Sequence, residues 1–91
     1  GADLSRSDRV QDRRADLDRR IAIAEQDAQA IQQRINAARR QQGEFIQARQ
    51  QTPGAAGAQM DAEIARLSQQ IAQLEAQLND LNTSIAITRT G

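Results

Sequence analysis

Two stretches of the chain place apolar or small residues at alternating steps of three and four, and a proline–glycine break separates them. In the first stretch the positions are Val10, Leu17, Ile21, Ala24, Ala28, Ile31, Ile35, Ala38 and Phe45, with Arg14 and Gln42 in two polar slots. In the second they are Met60, Ile64, Leu67, Ile71, Leu74, Leu78, Leu81 and Ile85, with every slot apolar. Alternating steps average 3.5 residues, which keeps a stripe facing one partner helix and imposes a left-handed supercoil. An amphipathic helix on a globular core would carry a wider stripe, with a third apolar position per heptad. Here the neighbouring positions are mostly Gln, Asp, Glu, Arg and Ser, so the rhythm predicts a coiled coil.

The break is Gln51-Thr52-Pro53-Gly54-Ala55-Ala56-Gly57-Ala58. Pro53 removes a helical donor and crowds the preceding turn. Gly54 and Gly57 supply positions where positive φ is cheap. The phase agrees: counting in sevens from Phe45 reaches Gln59, whereas the second stripe starts at Met60. A continuous helix would have to absorb that slip as well as the proline. The prediction is an all-α antiparallel coiled-coil hairpin with unequal arms: one helix over about 5–51, a turn at 52–58, a helix over about 59–83 and an extended tail at 84–91. Ser5 or Ser7 is expected to cap the first helix, with Asp8 near its positive end. The tail is expected to be extended because Ser84-Ile85-Ala86-Ile87-Thr88 alternates apolar and polar, although the stripe also allows helix as far as Ile85.

Folding about the turn sets Phe45 near Ile64, Ala38 near Ile71, Ile31 near Leu78 and Ala24 near Ile85. Small residues then face large ones, a complementarity that favours this pairing. The seam residues are therefore the expected interface, with Pro53, Gly54 and Gly57 as the turn. Residues before about Leu17 project beyond the second helix without an intramolecular partner, carrying Leu4, Val10 and Leu17 as knobs. A two-helix seam buries little, so such hairpins are marginal unless they associate. The expected partner is protein, most simply a second copy of the hairpin in a four-helix assembly.

Composition supports a long-helix class. Among the 91 residues Phe45 is the one aromatic, too little to fill the core of a compact domain of this size. With no His and no Cys, the usual nucleophile–base pairs and transition-metal ligands are missing, and redox compartment is not legible. The remaining carboxylates, Asp8, Asp12 and Asp16 at helical spacing and Asp61 with Glu63, would stand in water where no burial tunes them for proton transfer. No enzyme activity, cofactor, metal or small-molecule substrate is expected. Twelve Arg balance twelve acidic residues. Arg6, Arg13, Arg20 and Arg34 form a ridge beside the first seam, which keeps an RNA-binding hairpin dimer as an alternative. Interleaved acids and the lack of aromatics for stacking argue against nucleic acid. No apolar run is long enough to insert in a membrane. The ends, Gly-Ala-Asp and Arg-Thr-Gly, predict an excised fragment or a mature chain freed of its targeting segment.

The tail Thr83-Ser84-Ile85-Ala86-Ile87-Thr88-Arg89-Thr90-Gly91 follows a heptad helix. It resembles the exit from the helical hairpin of periplasmic adaptor (membrane-fusion) proteins, where a Thr-x-Ile-x-Ala-Pro-x-x-Gly segment re-enters a lipoyl-like β domain. Thr83, Ile85 and Gly91 match that spacing, while Ile87-Thr88 stands where the family has Ala-Pro. The resemblance implies a hairpin whose tip, Pro53 to Ala58, docks an outer-membrane channel in secretion or efflux, and a periplasmic or envelope location. The broader expectation is a structural or assembly module of a larger bacterial complex: a secretion system, an envelope assembly or a phage particle.

Overall fold

In the computed structural model, the backbone is described for residues 2–90 and the side chains for residues 9–90. Two helices, α1 (Ala2–Gln50) and α2 (Ala55–Thr90), run antiparallel and form a rod of 80 × 14 × 14 Å. The fold is the all-α helical hairpin that the apolar rhythm implies.

Helix α1 holds no proline, and its commonest residues are Arg, Ala and Gln, which lose little conformational freedom in a helix. Its backbone is already helical at Ser5 and Ser7, so neither serves as the expected cap. The side chains of Leu4, Ser5, Arg6, Ser7 and Asp8, assigned above to knobs, caps, the arginine ridge and a carboxylate row, lie outside the described residues, as does Gly91.

Helix α1 ends because Pro53 cannot continue it and biases Thr52 away from helical geometry. The last turn tightens, with the amides of Gln51 and Thr52 donating to the carbonyls of Ala48 and Arg49 at 3.1 and 3.2 Å. The Thr52 hydroxyl also donates to the Ala48 carbonyl at 2.8 Å, taking up an acceptor at the helix end. Gly54 has φ of 79° and turns the chain, and its carbonyl then accepts from the Ala58 amide at 3.1 Å. The turn is therefore shorter than the expected 52–58, and α2 begins at Ala55. Among the described glycines only Gly54 uses positive φ. Gly57 is helical and buried, and its role is close approach, not backbone freedom.

The extended tail expected at 84–91 is the main correction, because α2 stays helical through Thr90. Two forces override the local alternation. Ile85 is 7% exposed, packed against α1, whereas an extended segment would throw Ile85 and Ile87 to the same side and leave the seam empty. The threonines are also accommodated in helix: Thr83, Thr88 and Thr90 donate their hydroxyls to the carbonyls of Asn79, Ser84 and Ala86 at 2.9, 2.9 and 3.1 Å. The arms accordingly hold 49 and 36 residues, less unequal than expected.

The core is thin. Ile35, Ala38, Leu67, Ile71 and Leu74 form one buried cluster, with Ile31, Phe45 and Leu78 packed against it, and Ile85 is buried separately nearer the open end. Ile35, at 1% exposure, is the most enclosed side chain, and burial of that kind stabilises by about 1.5–3 kcal/mol.

Candidate functional site

The chemistry of a two-helix rod lies in its seam, its turn and its open end. All the seam positions named from the sequence are buried or half-buried: Leu17, Ile21, Ala24, Ala28, Ile31, Ile35, Ala38 and Phe45 on α1, and Met60, Ile64, Leu67, Ile71, Leu74, Leu78, Leu81 and Ile85 on α2. Of the anticipated pairs, Ala24 and Ile85 stand together at one small cavity, whereas Leu78 neighbours Ile35 at another, where Ile31 was expected, and Phe45 neighbours Met60 at a third, where Ile64 was expected.

Polar groups add direction to this apolar contact. Gln42, in a slot that would otherwise hold an apolar knob, donates from Nε2 to the Ile64 carbonyl at 2.9 Å and to Ser68 Oγ at 2.6 Å. Both acceptors belong to the opposite helix, so a slide of one turn would break both bonds. One flank carries two ion pairs between the helices, Arg39–Glu75 and Arg89–Glu25. With Arg49–Asp61, three of the five ion pairs among the described residues cross the seam. All are exposed enough that each contributes at most about 1 kcal/mol, yet together they disfavour other registers.

The turn is organised by Arg49, which the sequence reading passed over. Its guanidinium donates from Nη1 to the Thr52 carbonyl at 2.9 Å and from Nε to Asp61 Oδ1 at 3.1 Å, bridging the end of α1 to the start of α2. Gly57 packs beneath it: a methyl group there would meet the Thr52 carbonyl oxygen at 2.3 Å and Arg49 Nη1 at 2.6 Å. The available signal was periodicity, since Arg49 falls four residues after Phe45 and Thr52 three after that, in the next two slots of the stripe. Pro53 and Gly54 are exposed at the tip.

At the open end α2 stops while α1 continues. Leu17 and Ile21 are half-buried beside Thr88, and Val10 is 57% exposed. These residues floor a groove of about 920 Å³ rimmed by Arg13, Arg14, Asp18 and Arg89. Arg20 pairs with Asp16 at 3.0 Å along α1.

Among the described residues, the carboxylates considered for catalysis are not brought together. Asp61 is held by Arg49 and Glu63 by Arg66, each at the surface. Among the described residues no group of three or more His, Cys, Asp or Glu is placed to hold a metal ion. No described helix is long and apolar enough to cross a membrane. Compared with known proteins, the chain matches no family model, no curated sequence and no solved structure.

Proposed function

We propose that this hairpin is a non-enzymatic structural or assembly module, which works by protein–protein contact within a larger bacterial complex and associates with copies of itself. The observation that supports this reading most is the thinness of the core. Among the described residues, six buried apolar side chains hold a rod 80 Å long, and a single seam of that kind leaves a hairpin marginal on its own. Val10, Ile23, Ile46 and Ile87 remain exposed on its surface, and a second hairpin laid alongside would cover part of that area while doubling the layers of the core.

Sedimentation equilibrium with small-angle scattering tests the association. A side-by-side pair has twice the 10.0 kDa chain mass while keeping a maximum dimension near the 80 Å of one rod. A monomer persisting at tens of micromolar would count against self-association.

A second reading, docking through the tip as in the adaptor hairpins, draws on the exposed Pro53–Gly54 turn and on the groove that Phe45, Ala48 and Met60 line beside it.

A further inference from the structure

We propose that two copies of the hairpin pair through one flank, the side of the seam that carries Arg39–Glu75 and Arg89–Glu25, with α1 of each copy lying along α2 of the other. The inference rests on the self-association proposed above and adds the surface that performs it. Glu25, Gln32 and Arg39 follow one another at intervals of seven on α1, as do Glu75, Asn82 and Arg89 on α2. That interval keeps each set in one row along its helix. The rows run in opposite directions, so Glu25 meets Arg89, Gln32 and Asn82 border one cavity, and Arg39 meets Glu75.

This order is self-complementary. A half rotation about an axis parallel to the rod lays the second α2 on the first α1, with both turns at the same end. Glu25 then faces Arg89 of the copy and Arg39 faces its Glu75, so opposite charges meet at both levels. Between them Gln32 faces Asn82, and their amides both donate and accept. The cavity they border has a volume of about 310 Å³, with Ile35 and Leu78 among its lining. The adjoining row permits close approach. From Ala22 to Gly43 and from Ala65 to Ala86 it carries no charge, and Ala22, Gly43, Ala65, Ala72 and Ala86 are small. Ile46, 45% exposed, stands in the row of Arg39 and gains cover.

The opposite flank lacks this balance. From Ala15 to the turn and along α2, the pairing flank holds six charges: Asp18, Glu25, Arg39, Asp61, Glu75 and Arg89. All but Asp18 are in ion pairs within the hairpin. Over the same span the other flank has Asp27, Arg34, Glu44 and Asp80, which form no ion pair among the described residues. Burying them costs desolvation with no return, since Asp27 and Arg34 would face the uncharged Ser84 and Gln77 of a copy. Ile23 and Ile87 are exposed on that flank, but covering them would bury those charges too.

Sedimentation equilibrium of the full chain and matched variants tests the surface. Asn36→Arg with Asn79→Arg puts bulk and like charge into the pairing flank, at positions exposed in the single hairpin. Ala37→Arg with Gln73→Arg does the same at a similar level on the other flank. The first variant is expected to raise the dimer Kd about tenfold or more, and the second to leave it within about twofold. The exchange Arg39→Glu with Glu75→Arg keeps opposite charges level within and between copies, so pairing is retained. Equal weakening by the two arginine variants, greater weakening from Ala37→Arg with Gln73→Arg, or loss of pairing in the exchanged variant would each overturn the proposal. If Asn36→Arg with Asn79→Arg loses helicity by circular dichroism, a spin label decides. Carried on Asn82→Cys it should broaden the amides around Gln32 in an isotope-labelled copy more than the same label on Asp80→Cys does; equal or weaker broadening overturns the surface. A chain that pairs but is weakened from the other flank keeps the self-association reading and loses this surface, whereas an unaltered chain that stays monomeric at tens of micromolar loses both.

Discussion

A methyl group added at Gly57 would lie 2.3 Å from the Thr52 carbonyl oxygen, closer than a Cβ can stand, whereas one added at Gly43 would meet nothing within 4 Å. The same substitution should therefore have opposite signs at the two sites. Gly57→Ala must push the turn apart or displace Arg49 from its bridge between Thr52 and Asp61, a strain of about 1–3 kcal/mol. Gly43→Ala sits on the exposed side of α1 and gains about 0.5–1 kcal/mol from reduced freedom in the unfolded chain. Thermal melts should separate the two variants on either side of the unaltered chain, by about 4–8 °C per kcal/mol for a domain of this size. Similar melting temperatures for both would show that the turn does not close as tightly as described.

At the level of the helices, the last turns of α2 depend on one anchor. Ile85 is 7% exposed and Ile87 is 64% exposed, only two residues away. Ile85→Ala is expected to cost about 2–4 kcal/mol and to release the amides after Ser84 to hydrogen exchange, while Ile87→Ala stays within about 0.5 kcal/mol. Equal effects at both positions would favour a strand-like or frayed end. Gln42 governs a different property, the register. Replacing it by Leu removes the bonds to Ile64 and Ser68 but adds apolar contact, so stability should hold or rise while the alignment loosens. Spin labels at the exposed Gln32 and Asn82, which border the same cavity, should give one narrow distance distribution in the unaltered chain and a broadened one in the Gln42→Leu variant. An unchanged distribution would assign the register to the turn and ion pairs instead.

For the molecule as a whole, the governing fact is geometric: an 80 × 14 × 14 Å rod has a large surface for its interior. Each helix shows one stripe to one partner, and much of α1 and α2 faces outward. The proposed pairing of hairpins would make melting temperature rise with protein concentration, because assembly adds a mass-action term to stability. That dependence should accompany the doubled mass in sedimentation.

The hairpin itself follows from order along the chain. Steps of three and four between apolar residues dictate which face of a helix is buried, and Pro53 with Gly54 dictates where the chain reverses; both are local constraints on backbone geometry. From them follow the seam residues and their approximate pairing, because the distance from the turn sets which residues lie level. The state of Ser84–Thr90 was not legible in the same way. Its alternating pattern suits a strand and a helix alike, and the choice fell to Ile85 packing across the seam and Arg89 meeting Glu25, residues far apart in sequence. Arg49 and Gln42 belong to the same class: a polar side chain in an apolar rhythm looks like an interruption until the opposite helix supplies its acceptors. Periodicity says which side of a helix is inside, while hydrogen-bond partners from a second helix exist only once the two have been brought together.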